Sequence, residues 1–346
     1  MKMQSRFAMD LLCACLLATG YALPGYAHAA PVPAPKLLSV TAVPAMPEGD
    51  FDQFAADEAT NRLFLSAEAG AAMDVFDLRT GKLLQAGGPV ASPHKVIVDL
   101  PSHHLFVADG GDASVKVLDE KLGLIAKIAV GPHPDTGVYD AGKHLFYVGS
   151  RVGAGTTAPS IISVISTEKM AVTDTIAIPA TTLKGMILDA DGHRLLVGMR
   201  DKNQIAVVDL DTRSVSLWSP PGLNQNVPMA LDSAEHLLFV GSRRPGKLSV
   251  LDPRDGRVLA ELPSTNISDS MFYDAKSRLL YVTGDDGLSR YKVDANGSVS
   301  ALGTDAAVAG KSSLLLGGAH RLFVARPKKE GQAAALEIYE VGRPGD

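Results

Sequence analysis

The chain has 346 residues, of which 46% are hydrophobic, 21% charged and 5% aromatic, a composition typical of a soluble protein with one large domain or two ordinary ones. Its formal net charge is −5, and removal of residues 1–29 leaves 31 basic and 37 acidic residues, a net charge of −6. Because Lys and Arg supply most non-specific affinity for nucleic acid by neutralising phosphates, this surplus of acid argues against a nucleic-acid partner.

The first predicted element is a cleavable signal peptide at residues 1–29. Lys2 and Arg6 form a positive start, an apolar core follows, and Ala27-His28-Ala29 is a small-residue cleavage signal. The apolar stretch is shorter than the ~20 residues that a membrane span requires, which disfavours a membrane anchor as the alternative. We therefore expect cleavage near Ala29, a periplasmic or secreted protein, and no membrane span in the mature chain.

Both cysteines, Cys13 and Cys15, lie in this predicted signal peptide. They also give it a faint resemblance to a lipoprotein signal, so a lipid-anchored form is a second alternative. Removal of the segment leaves no thiol, which excludes disulfides, thiolate nucleophiles and cysteine metal sites. Residues 30–36 are predicted to be an extended linker, and residues 37–342 a single folded domain.

An internal repeat is the dominant feature of the predicted domain. Its anchor is a short apolar run that occurs seven times, with steps of 42, 40, 50, 43, 42 and 42 residues between the centres. The long step contains a Gly/Thr-rich insertion at 152–159. The anchors are Leu63-Phe64-Leu65, Leu105-Phe106-Val107, Leu145-Phe146-Tyr147, Leu195-Leu196-Val197, Leu238-Phe239-Val240, Leu280-Tyr281-Val282 and Leu322-Phe323-Val324.

Each repeat predicts four short β-strands. An apolar strand ends in aspartate, a turn leads to the anchor strand, a Gly-rich or charged loop follows, and two further strands are joined by turns such as Asp255-Gly256. Four strands in roughly 40 residues form one propeller blade, so the chain predicts an all-β, seven-bladed β-propeller. The seventh repeat lacks its fourth strand, and residues 37–43 are expected to supply it and close the ring.

The repeat unit resembles the YVTN repeat of YncE-like propellers. Residues 93–118 (PHKVIVDLPSHHLFVADGGDASVKVL) and 228–251 (PMALDSAEHLLFVGSRRPGKLSVL) match that pattern. The resemblance implies an exported propeller that binds a ligand or partner. Some similar propellers are lactonases, and others bind proteins or DNA, so the fold does not decide the function.

Ligands of propellers usually bind at the mouth of the central channel, where the innermost strands begin. Counting back from the aspartate that ends each first strand gives one mouth position per blade. These positions are Asp52, His94, Asp135, Lys184, Val227, Asp269 and Ser312. Charged side chains from several blades are therefore expected to face one another across a narrow opening.

The loop after each anchor strand shares the mouth face. Arginine recurs there at Arg151, Arg200, Arg243 and Arg326, and an acid at Glu68, Asp109 and Asp285. Because the arginine fork suits carboxylate and phosphate, the sequence predicts a small anionic ligand or a protein partner at the mouth; simple solvation of these loops is the alternative. The predicted ligand-binding residues are Arg151, Lys184, Arg200, Arg243, Arg326, Asp52 and His94.

A divalent cation or acid–base chemistry is a second possibility at the mouth. The candidate metal ligands are Asp52, His94, Asp135 and Asp269, and the last three are also the candidate catalytic residues. No spacing typical of a metal site supports them, so no cofactor is expected, and mutual pairing inside the channel is the alternative. A binding or scaffold protein is the leading function, and a lactonase-like hydrolase is the alternative.

Repeated polar residues at the opposite face are interpreted as structural. Histidines precede the anchor strands at His104, His144, His193, His236 and His320, with His103 beside them. Each lies on a different blade, so they cannot converge on one metal. The aspartates at the same turns are expected to bond the backbone just ahead of them. They are Asp57, Asp99, Asp140, Asp189, Asp232 and Asp274.

Overall fold

The computed structural model describes residues 32–153, 155–308 and 310–342. Over these residues the chain forms seven four-stranded antiparallel sheets and one short 3₁₀ helix, Gly317–Ala319. In that part of the chain, no helix is long and apolar enough to cross a membrane. The predicted signal peptide, residues 1–29, lies outside the described residues.

The first four blades take their strands in chain order. Blade 1 is β2 (Phe54–Asp57), β3 (Arg62–Ala67), β4 (Ala72–Asp77) and β5 (Leu83–Gly87). Blade 2 is β6 (Pro93–Asp99), β7 (His104–Asp109), β8 (Ser114–Leu118) and β9 (Leu124–Ala129). Blade 3 is β10 (Pro134–Asp140), β11 (Leu145–Ser150), β12 (Ser160–Ser166) and β13 (Ala171–Ile178). Blade 4 is β14 (Leu183–Asp189), β15 (Arg194–Met199), β16 (Gln204–Asp209) and β17 (Val215–Trp218).

The remaining blades include the one that joins the two chain ends. Blade 5 is β18 (Asn226–Asp232), β19 (Leu237–Arg243), β20 (Gly246–Leu251) and β21 (Val258–Pro263). Blade 6 is β22 (Ser270–Asp274), β23 (Leu279–Gly284), β24 (Gly287–Val293) and β25 (Val299–Asp305). Blade 7 is β26 (Ser312–Leu316), β27 (Arg321–Arg326) and β28 (Ala335–Glu340), with β1 (Lys36–Ala42) as its outer strand.

The sheets form a closed ring. The first strand of each blade contacts the first strands of its neighbours, and β26 of blade 7 contacts β2 of blade 1. The seven first strands therefore surround a central channel, which confirms the predicted seven-bladed β-propeller.

Blade 7 closes the ring with strands from both ends of the domain. β1 pairs antiparallel with β28, for example Leu37 with Tyr339 and Val40 with Glu337. This pairing confirms the prediction that the N-terminal strand completes the last blade. It satisfies the backbone groups of β28 that would otherwise form an exposed sheet edge.

The hydrophobic core lies between successive blades. The anchor strands are almost wholly buried; Phe106 and Phe239 are both 0% exposed. Clusters combine residues from adjacent blades, as where Leu65 of blade 1 packs with Phe323 and Ile338 of blade 7. Burying a large apolar side chain contributes about 2–3 kcal/mol, so the repeated anchors hold the blades face to face.

A left-handed residue stands at the turn before each anchor strand, with φ between 49° and 58°. These residues are Asn61, His103, His144, His193, His236, Arg278 and His320. Five of their carbonyl groups accept a hydrogen bond from the end of the third strand or the residue just beyond it, as from Leu210 N to His193 O at 2.9 Å. In blade 2 the turn residue is His103, and His104 is the first residue of β7. The histidines have the structural role predicted for them, with His103 in place of His104.

Candidate functional site

β-Bulges shape the mouth of the channel. The pairing register shifts between Pro93 and Val96 in blade 2, and between Lys184 and Met186 in blade 4. A bulge adds a residue to one strand and re-aims its side chains. Two consecutive residues of one strand, such as His94 and Lys95, can therefore both face the channel, although residues of a regular strand alternate between faces.

One ring of side chains surrounds the mouth, near the start of each first strand. Its members are Asp52, His94, Asp135, Lys184, Val227, Asp269 and Lys311. The sequence alignment placed Ser312 here in blade 7. The strand pairing shows that this placement is wrong by one residue. Ser312 is the first residue of β26 and pairs with Ala325, just as Ser270 is the first residue of β22 and pairs with Thr283, so Ser312 corresponds to Ser270. Lys311 thus corresponds to Asp269, and sequence reasoning missed it.

Asp52 and His94 form the tightest contact between blades 1 and 2 in this ring. His94 Nδ1 lies 2.6 Å from Asp52 Oδ2, and His94 is only 4% exposed. Burial favours neutral imidazole, but the hydrogen bond and charge of Asp52 outweigh it and raise the pKa of His94. Burial likewise opposes ionisation of Asp52, yet His94 and Lys184 lower the pKa of Asp52. Nδ1 therefore donates to an ionised carboxylate.

The other nitrogen of His94 faces away from the channel. Nε2 lies 3.3 Å from Ser92 Oγ, and a Cβ atom at Gly110 would lie 2.8 Å from it. Glu68 is a further acid beside His94, with Oε2 3.9 Å from Nδ1, and burial raises the pKa of Glu68. The imidazole is therefore fixed in orientation between Asp52 and the loop of Gly110.

Asp135 and Lys184 join blades 3 and 4. Lys184 Nζ donates to Asp135 Oδ1 at 2.6 Å, and the carboxylate is 3% exposed. Asp135 Oδ2 is buried without a hydrogen bond among the described residues, with Arg151 Nη1 3.9 Å away. Burial opposes the charge of Lys184, but Asp135, Asp52 and Asp269 together raise its pKa. Lys184 is therefore charged and lies among three acids.

Asp269 is paired with two cations. Arg243 Nη2 donates to Asp269 Oδ1 at 2.6 Å, and Lys311 Nζ lies 3.2 Å from Asp269 Oδ2. Lys311 also bonds Asp50 Oδ2 at 2.7 Å. Acids and bases therefore intermix around the ring, and most of its charges are compensated.

Three of the predicted arginines come together above the ring. Burial lowers the pKa of Arg200, and the positive charges of Arg243 and Arg151 lower it further. The negative charges of Asp269 and Asp135 raise this pKa but do not outweigh the other effects. Arg200 has no side-chain hydrogen bond or ion pair with any residue that the structure describes. A partly buried arginine beside two others, with its guanidinium donors unused, is the least compensated charge of the mouth.

The fourth predicted arginine is occupied within its own blade. Arg326 Nε donates to Glu337 Oε1 at 2.6 Å and its Nη1 to Ala333 O at 2.8 Å. Glu337 also accepts a hydrogen bond from Tyr339. Arg326 thus stabilises blade 7. Asp109 is similarly committed, because it is fully buried and binds Lys116 and the amides of the Ala91 loop.

A cavity of about 180 Å³ lies below the ring. Its polar wall includes Asp52, Asp135, Lys184 and Asp269, and its other wall is apolar, with one methionine each from blades 4, 5 and 6. Deeper in the channel Ile187 and Phe272 line it. The equivalent positions of the other first strands are also apolar: Ala55, Ile97, Val138, Ala230 and Leu314. The channel is therefore charged at the mouth and apolar below it.

Lys95 lies at the boundary between these two parts. It lines the cavity, and the equivalent positions in the other blades carry no charge. These positions are Gln53, Thr136, Gly185, Pro228, Ser270 and Ser312. Burial lowers the pKa of Lys95, and only the charge of Asp52 opposes this. Sequence reasoning did not single out Lys95, because the bulge that turns it inward is a tertiary feature.

Three of the four candidate metal ligands lie close together. One ligand atom each of Asp52, His94 and Asp135 lies within 4.8 Å of the others. The arrangement fits a cation poorly, because His94 already bonds Asp52 and Lys184 places an ammonium group on Asp135. Asp269 belongs to a separate pair with Arg243. A divalent cation at this mouth therefore stays a prediction.

Fold and site together define a seven-bladed β-propeller with a charged channel mouth. Two solved structures share the fold, each at 15% sequence identity. A chain in a crystal structure of the mitotic checkpoint complex aligns over 96% of this chain and 99% of its own length, with a TM-score of 0.71. A chain of Kuenenia stuttgartiensis hydrazine synthase aligns over 94% and 100%, with a TM-score of 0.65. No family model and no curated protein matches the sequence.

Proposed function

We propose that this chain is a binding propeller that takes up a small anionic ligand at its channel mouth. The observation that carries the proposal is Arg200, a partly buried arginine without a side-chain partner among the described residues. The charges of Arg151 and Arg243 disfavour its charged form. A bound anion relieves this repulsion and accepts the unused guanidinium hydrogen bonds.

The dimensions and chemistry of the mouth suggest the kind of ligand. Arginine groups donate pairs of parallel hydrogen bonds that match carboxylate or phosphate. The cavity of about 180 Å³ is smaller than the ~300–1,000 Å³ pockets that hold drug-sized molecules. A small carboxylate or phosphate with an apolar portion directed toward Met186 and Phe272 fits both features.

The cellular setting belongs to the same proposal. We propose export to the periplasm or beyond on the basis of the signal-peptide pattern at residues 1–29, and a relationship to YncE-like propellers on the basis of the repeat. A protein partner that presents an acidic side chain to the same arginines is the other occupant compatible with a propeller.

Calorimetric titration with a panel of small carboxylates and phosphates tests the proposal. We expect the best ligand to bind about ten- to a hundredfold more weakly to Arg200→Ala, since a hydrogen bond to a charged group contributes about 1.5–3 kcal/mol. Arg254→Ala is the matched control, because Arg254 bonds Asp252 at a turn on the opposite face. Equal affinity of the Arg200 variant and the unaltered chain would contradict the proposal.

A lactone-type hydrolase is the second candidate, and the Asp52–His94 hydrogen bond is the observation that favours it. It ranks second because Nε2 of His94 faces Ser92 and Gly110 and not the cavity. A lactone panel tests it with His94→Gln and His103→Gln. His103 is a matched control, since its Nδ1 also lies 2.6 Å from an aspartate, Asp57, on the other face. Loss of turnover in the first variant alone supports the hydrolase.

A further inference from the structure

The carboxylate oxygens of the mouth ring differ in whether they have a partner. Both oxygens of Asp52 and both oxygens of Asp269 have a hydrogen bond or an ion pair. Asp135 Oδ1 accepts a hydrogen bond from Lys184 at 2.6 Å, but Asp135 Oδ2 is buried and has no hydrogen bond among the described residues. Because buried polar atoms are nearly always hydrogen-bonded, this oxygen is an acceptor that lacks its donor.

Arg151 lies beside this oxygen and is also without a hydrogen-bond partner. Its Nη1 lies 3.9 Å from Asp135 Oδ2, which is too far for a hydrogen bond. The side chain of Arg151 is 42% exposed and makes no hydrogen bond with any residue that the structure describes, so it is able to rotate. A rotation toward an anion held by Arg200 would expose Asp135 Oδ2 to the same ligand.

We propose that the anion bound at this mouth is an α-amino acid, whose carboxylate binds Arg151 and Arg200 and whose ammonium group donates to Asp135 Oδ2. The inference deepens the proposed function and rests on its anion site. The unused acceptor and the nearest donor of Arg151 are 3.9 Å apart, so the ligand must carry its positive and negative groups close together. In an α-amino acid a single carbon atom separates them.

The charge balance of the ring favours a zwitterion over a simple carboxylate. Acids and bases already compensate one another around the ring, and a ligand without net charge disturbs this balance least. Its ammonium group would bind the oxygen of Asp135 that Lys184 does not use. A carboxylate without an amine leaves Asp135 Oδ2 without a donor and brings a second negative charge close to it.

The wall of the cavity below the ring indicates the kind of side chain. Met186, Met229 and Phe272 line this cavity of about 180 Å³. An aliphatic side chain directed into it contacts apolar surface, whereas a polar side chain would lose its hydration without gaining a hydrogen-bond partner there. We therefore expect small aliphatic amino acids such as leucine to bind best.

Calorimetric titration of the full chain with leucine and with isocaproate tests the proposal, because isocaproate is leucine without its amino group. We expect leucine to bind about ten- to a hundredfold more tightly, the change in affinity that a hydrogen bond between charged groups provides. Isoamylamine, which is leucine without its carboxylate, should also bind at least about tenfold more weakly than leucine.

Asp135→Asn removes the negative charge of the acceptor and should bind leucine and isocaproate with similar affinity. Its circular dichroism and melting temperature verify folding. Asp285→Asn is the matched control, since Asp285 is an exposed acid after the anchor strand of blade 6, and this variant should keep the preference for leucine.

The comparison of ligands on the unaltered chain decides the proposal without any variant. Equal affinity for leucine and isocaproate, or no binding of leucine, overturns it. The preference for leucine over isocaproate tests the ammonium site, and the loss of affinity for either compound in Arg200→Ala tests the anion site. Equal, Arg200-dependent binding of the two compounds would thus refute the amino-acid ligand and leave the proposed function standing.

Discussion

Asp74 is a buried carboxyl group that nothing in the described structure compensates. It lies on β4, is 2% exposed, and its Oδ2 has no hydrogen-bond partner among the described residues. Its side chain shares a sheet face with Leu65, its cross-strand partner, toward the interface of blades 1 and 7. Burial raises the pKa of Asp74 to about 6. The folded protein therefore favours the protonated acid.

The pH dependence of stability follows from this pKa. The pKa of Asp74 is higher in the folded protein than in the unfolded chain. The stability that the protonated acid contributes is therefore lost as the pH rises from about 4 to about 6, and above that range the ionisation of Asp74 costs about 2–3 kcal/mol of folding free energy. We expect Asp74→Asn to be more stable than the unaltered chain by about 1–2 kcal/mol at about pH 8, since the amide also lacks a partner, with no gain at about pH 4. Denaturant unfolding at both pH values measures this.

Asp77 on the same strand is the matched control. Hydrogen bonds from the backbone and side chain of Thr80 lower its pKa, so its contribution is present at neutral pH and is lost as the pH falls. Asp77→Asn should therefore destabilise the protein near neutral pH. If both asparagine variants respond to pH in the same direction, the interpretation of Asp74 is wrong.

At the scale of single elements, the loops after the anchor strands determine how the mouth residues are oriented. The loop after β7 passes over His94 at Gly110, where a Cβ atom would lie 2.8 Å from Nε2 and 2.9 Å from Cδ2 of the ring. The backbone N–H of Gly110 also donates to Ser92 O at 2.9 Å. The glycine allows this close approach and thereby directs Nδ1 of His94 toward Asp52.

Gly110→Ala tests the role of this loop. We expect a loss of about 1–3 kcal/mol in the free energy of unfolding, because the imidazole must move to admit a methyl group in a packed site. The Asp52–His94 hydrogen bond should weaken as well, which an NMR titration of His94 would show as a lower pKa. Gly153→Ala is the control, since a Cβ atom there meets nothing within 4 Å. Equal stability of the two variants would contradict this account.

At the scale of the whole molecule, the ring depends on contacts between the two ends of the described chain. β1 covers the open edge of β28, and Arg290 Nη1 donates to Pro33 O at 2.7 Å just before β1 begins. Much of β1 is exposed, so its pairing contributes more through backbone hydrogen bonds than through apolar burial. Closure therefore joins residues that are farthest apart in the sequence.

A chain that lacks residues 1–42, and with them β1, should form a less stable propeller. At about 1 kcal/mol per hydrogen bond, the loss of this strand lowers the free energy of unfolding by about 3–6 kcal/mol. A peptide with the sequence of residues 36–42, added in excess, should restore part of the melting temperature, and a scrambled peptide should not. A truncated chain that melts like the full one would show that β1 is not needed for closure.

The repeat alone determined the seven blades, their four strands and the closure by residues 37–43. This was possible because strand patterning and turn chemistry are local, and sevenfold repetition makes each local signal more certain. The structural role of the turn histidines followed in the same way, apart from the choice between His103 and His104. The sequence also placed Asp52, His94, Asp135 and Lys184 at one mouth.

Tertiary structure alone decided which of these groups are paired and which are available. The register of β26 put Lys311 in the ring, the bulge of β6 turned Lys95 into the channel, and the pairing of β27 with β28 brought Arg326 onto Glu337. A one-residue difference in register or a bulge moves a side chain from one face of a strand to the other, and no local pattern specifies it. The compensation of charge depends on contacts between blades, which exist only once the ring has closed.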